Sequence, residues 1–67
     1  MKIIASTTID ITVDQTEYRI TASADVDYWV WETEYQNEFG IWVKLSYGAS
    51  GTRREALSEA MSVIEMN

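Results

Sequence analysis

The run Ile9-Asp10-Ile11-Thr12-Val13-Asp14-Gln15-Thr16-Glu17-Tyr18-Arg19-Ile20 is where the chain changes phase. Upstream and into it, the odd positions read Ile3, Ala5, Thr7, Ile9, Ile11 and Val13, while the even ones are mostly polar, with Thr8, Asp10 and Thr12 among them. Period two with β-branched residues predicts a strand. Past Asp14-Gln15-Thr16-Glu17 the even positions turn apolar, as Tyr18, Ile20, Ala22, Ala24 and Val26. A second strand facing the same core is expected. A loop of residues 14–17 would set Val13 opposite Tyr18 and Ile11 opposite Ile20, keeping both apolar sets on one face as register demands. The outer face would then pair Thr12 with Arg19, near Asp10.

Asp25-Val26-Asp27 reads as a turn or a bulge, because Asp is a poor strand former that bonds its local backbone, or equally as a kink in one long strand. That choice decides between three and four strands. Tyr28 to Tyr35 is aromatic and strand-like, residues 36–40 look like a hairpin loop with Gly40 free to take positive φ, and Ile41 to Tyr47 is the return strand. Setting Tyr35 against Ile41 brings Trp31 to Leu45 and Trp29 to Tyr47 on one face. On the other it brings Glu32 to Lys44 and Glu34 to Trp42, so one register serves both faces. Thr52-Arg53-Arg54-Glu55 fits a capping box, with Glu55 reaching back to the Thr52 amide. Ala56, Leu57, Ala60, Met61 and Ile64 then form one helical stripe, with Ser58, Glu59, Ser62 and Glu65 outside. The predicted fold is α+β: an antiparallel meander of three to four strands with one C-terminal helix packed on one face, residues 1–67 forming a single domain.

The chain has 67 residues, 46% hydrophobic and 24% charged, which is globular composition for one domain. A domain this small buries only about 60% of its unfolded surface. It has no Cys and no His, which removes disulfides, thiolate or imidazole metal sites, thiol nucleophiles and histidine bases. Three Trp, four Tyr and one Phe must carry much of the core. The lack of Cys is compatible with a reducing cytoplasm. Met1-Lys2-Ile3-Ile4 runs straight into Ser6-Thr7-Thr8, without the apolar stretch of a signal peptide, and no window approaches the roughly 20 apolar residues of a membrane span. A soluble chain without an export signal is the expectation.

Carboxylates are the available chemical groups. Asp25 with Asp27, and Glu32 with Glu34, would each share a face of a strand, where repulsion can raise a pKa. A catalytic pair needs a cleft, however, and a small sheet with one helix has little depth for one, so solvated surface is the plainer reading. Asp25-Val26-Asp27 lacks the remainder of a calcium loop, and Gly48-Ala49-Ser50-Gly51-Thr52 lacks the Gly-Lys-Thr of a phosphate loop. The latter reads as a strand-to-helix connection, although Arg53 and Arg54 in the first helical turn sit against the helix dipole. No catalytic constellation, metal site or cofactor is implied, and the expectation is a non-enzymatic protein.

Eleven acids against five bases give a formal charge of −6, which opposes nucleic acid and membranes as direct partners and favours basic protein surfaces. Asp10, Asp14, Glu17, Asp25, Asp27, Glu32, Glu34 and Glu38 all fall in the strands and turns, where the bases are Lys2, Arg19 and Lys44. An acidic recognition face and simple solubility both account for this. Trp42, expected on the face away from the helix beside Glu34 and near Tyr28, is either an exposed anchor or part of a local packing cluster.

In size, charge and strand-then-helix order the chain resembles the small acidic inhibitor proteins encoded by phages and mobile elements, anti-CRISPR proteins among them. The resemblance implies a stoichiometric inhibitor in the cytoplasm of a bacterial host, covering a basic, nucleic-acid-binding surface of a host protein with acids in place of phosphates. On that reading Asp25, Asp27, Glu32 and Glu34 meet Arg or Lys of the partner, and Tyr28 and Trp42 add apolar contact. The alternative is an assembly module that forms a homodimer through a sheet edge or its outer aromatic face, suggested by Ile4 on the polar side of the first strand and by the small core.

Overall fold

The computed structural model describes residues 5–66. Its elements are β1 (Ala5–Val13), β2 (Thr16–Ala24), β3 (Trp29–Gln36), β4 (Trp42–Ser50) and α1 (Arg53–Met66). The strands form one antiparallel meander in the order β1-β2-β3-β4, and α1 packs across β2, β3 and β4 on one face. This is the expected α+β arrangement with four strands. Asp25 to Tyr28 is a turn, closed by the Asp25 amide donating to the Tyr28 carbonyl at 2.9 Å, with the Asp25 carboxylate accepting from the Val26 amide at 2.7 Å.

The first hairpin is tighter than its sequence suggests. Val13 pairs with Thr16, Ile11 with Tyr18 and Ile9 with Ile20, so only Asp14 and Gln15 form the loop and the register lies two residues from the expected one. Both take positive φ, 48° and 68°, the geometry of a type I′ turn whose twist matches that of the strands it joins. Because a slip of two preserves side-chain parity, the apolar residues still share the inner face. On the outer face the partner of Arg19 is Asp10, and Thr12 pairs with Glu17 instead.

The second hairpin also lies two residues from the expected register, with Tyr35 set against Val43 rather than Ile41 and Trp42 against Gln36 rather than Glu34, and β4 is further shifted by a bulge. Tyr35 pairs with Val43 and Glu34 with Lys44, but Thr33 pairs with Ser46 and Trp31 with Gly48, so a bulge adds one residue at Leu45. Leu45 packs against the core, and every later residue of β4 changes face. Tyr47, expected inward opposite Trp29, pairs with Glu32 and stands 76% exposed on the outer face. Gly48 takes the inward position beneath Trp31, where a Cβ would come 2.6 Å from the indole Cζ2. The bulge therefore puts a residue without a side chain under the largest side chain of the core.

The core gathers Tyr18, Ile20, Ala22 and Trp31 of the sheet with Ala56, Ala60 and Ile64 of the helix. Alanines on both sides let the helix approach closely, and the Trp31 indole is tied across the interface to the Glu59 carboxylate at 3.2 Å. Thr33, fully buried, donates its hydroxyl to the Ser46 carbonyl at 3.5 Å. At the helix start the Glu55 amide donates to the Thr52 hydroxyl at 3.1 Å, while that hydroxyl donates to the Glu55 carboxylate at 3.0 Å rather than leaving the carboxylate to the backbone. Thr52 still serves as N-cap. No helix is long and apolar enough to cross a membrane among the described residues.

Candidate protein-binding face

The face away from the helix is built in rows by the strand register. One row crosses all four strands with alternating sign: Asp10 faces Arg19, Arg19 faces Glu34, and Glu34 faces Lys44. Arg19 Nε donates to Asp10 Oδ1 at 2.9 Å and its Nη2 to Oδ2 at 3.4 Å. This hydrogen bonding, with the guanidinium charge adding to it, holds the Asp10 carboxyl below the ordinary aspartate range and raises Arg19 in turn. The Arg19 guanidinium also lies 4.1 Å over the Trp42 ring centroid, within cation–π range. Lys44 reaches diagonally to Glu32 at 3.2 Å.

These contacts change the standing of the expected site residues. Glu32 is compensated by Lys44, and Glu34 lies between Arg19 and Lys44 in the row, so the middle of the face is a charge-balanced lattice rather than a bare acidic field. Trp42 does lie on the outer face, half-buried beneath Arg19. It is not near Tyr28: Trp42 pairs with Gln36 at one end of β3 and Tyr28 precedes Trp29 at the other, roughly 25 Å away at the usual rise per strand residue. Asp25, Asp27 and Tyr28 are together at that far end, around Val26, which is 74% exposed. Among the described residues neither Asp25 nor Asp27 makes an ion pair. The six expected residues thus fall into an uncompensated acidic tip and a compensated central row.

Between the two lies a shallow depression of about 380 Å³, lined by the side chains of Thr21, Ser23, Val30, Glu32, Lys44 and Tyr47. Tyr47 and Val30 give it an apolar wall, and the two hydroxyls and the Glu32–Lys44 pair give it hydrogen-bonding capacity. Neither Tyr47 nor Val30 was expected to face outward. Tyr47 depends on the bulge, for which the alternation of β4 carries no sign, whereas the even position of Val30 in line with Glu32 and Glu34 was a readable signal. No group of three or more acidic side chains among the described residues comes together as a metal site.

No family model, no curated protein and no solved structure matches this chain.

Proposed function

We propose that this chain is a non-catalytic binding protein of the phage-encoded inhibitor type, which engages a basic, nucleic-acid-handling surface of a bacterial host protein in the cytoplasm. The observation that carries this reading is the Asp25-Val26-Asp27-Tyr28 turn. It presents two carboxylates that no base of the described residues neutralises, around an exposed apolar side chain and beside an exposed aromatic. Arg and Lys of a partner would meet Asp25 and Asp27 first, since unpaired acids attract them without having to give up an existing ion pair. The depression beside Tyr47 suits the stem of a partner Arg, with its guanidinium on the Tyr47 ring and its charge toward Glu32. Glu34 and Trp42 extend the same face and fix orientation at its other end.

The test is salt-sensitive capture from bacterial lysate with the partner identified by mass spectrometry, repeated with Asp25→Lys/Asp27→Lys and with Glu32→Gln/Glu34→Gln. Competition by duplex DNA is measured on the captured protein. The reading expects a nucleic-acid-binding protein that DNA displaces, lost on reversal of the tip and weakened less by the central pair. Capture that survives Asp25→Lys/Asp27→Lys, in a variant with an unchanged circular dichroism spectrum, overturns it.

A further inference from the structure

The sheet has two edges, and they differ. β4 is broken by the bulge at Leu45 and lies under the helix. β1 is a regular nine-residue strand with no proline and no bulge, paired residue for residue with β2, and the helix, which lies over β2, β3 and β4, reaches it through the Arg53 side chain. Because Val13 and Thr16 close a two-residue turn, the odd residues of β1 aim their backbone groups at β2, and Ser6, Thr8, Asp10 and Thr12 aim theirs at the open edge. An unprotected edge of this kind is a template for another strand.

The inner side of β1 is equally incomplete. Ile9 and Ile11 touch the core only from its margin. Arg53 donates to the Thr7 hydroxyl at 3.3 Å, so the helix flank bearing Arg53 looks toward β1, and Leu57 and Met61 follow it at four-residue steps along that flank. Leu57 and Met61 are half-buried too, so apolar side chains of both the helix flank and β1 stay part-exposed on this side.

We infer that a second copy of this chain fills that place, β1 pairing antiparallel with β1 about a two-fold axis through Ile9. The strand is self-complementary in this register, which gives the longest overlap of its described residues. Centred on Ile9, all nine residues overlap. Ile9 then faces Ile9 of the second copy, Thr7 faces Ile11 and Ala5 faces Val13 on the inner side, while Thr8 faces Asp10 and Ser6 faces Thr12 on the outer side. No like charges meet. Centring on Asp10 would set two carboxylates against each other, which is destabilising. Centring on Ile11 would shorten the overlap to residues 9–13. A two-fold axis normal to the sheet keeps both inner faces on one side, so the part-exposed Ile9, Ile11, Leu57 and Met61 of the two copies come together in one apolar layer between the helices. It also consumes the open edge, whereas pairing β1 with the bulged β4 would propagate into a filament.

The chain has no cysteine, so single cysteines report the register directly. Ile9 would meet its copy as a non-hydrogen-bonded pair, with Cα atoms about 4.5 Å apart, within disulfide range. Ile9→Cys is expected to form a disulfide-linked dimer on mild oxidation. Ile11→Cys, about 13 Å from its counterpart in this register, should form no disulfide link, nor should the loop variant Glu38→Cys. The unmodified chain should sediment at twice its 7.7 kDa mass at about 0.1 mM, a concentration that saturates micromolar contacts, and added NaCl should strengthen the association by screening two chains of charge −6. A monomeric mass under those conditions overturns the inference. So does a dimer in which Ile9→Cys links no faster than Glu38→Cys or Ile11→Cys.

Discussion

Gly48 shows how one residue without a side chain can fix the position of the largest residue in the core. The Trp31 indole lies where a Cβ on Gly48 would be, 2.6 Å from Cζ2 and 2.8 Å from Cε2, and the hydrogen bond from its Nε1 to Glu59 keeps the ring from sliding away. Gly48→Ala must displace the indole or the strand, and overpacking of this kind costs about 1–3 kcal/mol, read as a lower urea midpoint. Gly51→Ala is the control, since its Cβ would meet only the Glu55 carboxylate at 3.7 Å, and it should stay within about 0.5 kcal/mol of the parent. Asp10 gives a second prediction at this scale. Its carboxyl is held below the unfolded value by Arg19, so its contribution is present above the ordinary aspartate range and is lost as pH falls through the depressed folded value. The stability gap between the parent and Asp10→Asn should therefore be constant from neutral pH to about 5 and close below about 4, by urea unfolding at each pH. The pair is exposed, so the gap is small.

At the scale of elements, the β1–β2 turn includes one residue, Gln15, that tolerates its backbone poorly. Asp14 and Gln15 both hold positive φ, and for Gln15, which has no short side chain to bond its own backbone, that conformation costs about 1 kcal/mol or more. Gln15→Gly removes that cost at the expense of some unfolded-state entropy, and should raise stability by up to about 1 kcal/mol without moving the register. A lower urea midpoint would show that the Gln15 side chain contributes more than its backbone loses. The same turn explains what the sequence could and could not convey. The strands, their common inner face and the capped helix were legible because period two and period 3.6 are written in side chains. The register was not, because Asp14-Gln15-Thr16-Glu17 contains no glycine or asparagine to announce a two-residue loop, and a slip of two leaves every face assignment unchanged. In β4 the alternation Ile41, Val43, Leu45, Tyr47 runs past a bulge that no residue signals, so alternation alone points Tyr47 to the wrong face.

For the whole molecule, register decides which acids remain uncompensated. Composition shows eleven acids but not that Glu32 finds Lys44, that Asp10 finds Arg19, or that Asp25 and Asp27 are left at a tip of their own. Two opposing electrostatic terms follow. The alternating row across the outer face is attractive and weakens with salt. The excess charge of −6, confined within a radius of gyration of 12.0 Å, is repulsive and also weakens with salt. Exposed ion pairs contribute about 0–1 kcal/mol each. Like charges about 10 Å apart cost about 0.4 kcal/mol per pair in water, and six excess charges make many such pairs. Repulsion should win, so the urea midpoint at pH 7 should rise as NaCl increases from about 0.01 to 0.5 M, over which the Debye length contracts from about 30 Å to less than the width of the sheet. Urea is the denaturant to use, since guanidinium would screen the charges itself. A midpoint that falls with NaCl would mean that the Asp10–Arg19 and Glu32–Lys44 pairs outweigh the net charge, and would make the outer face chiefly a stabilising lattice. A midpoint that rises, unchanged in Glu32→Gln/Glu34→Gln and reduced in slope by Asp25→Asn/Asp27→Asn, would locate the uncompensated charge at the turn.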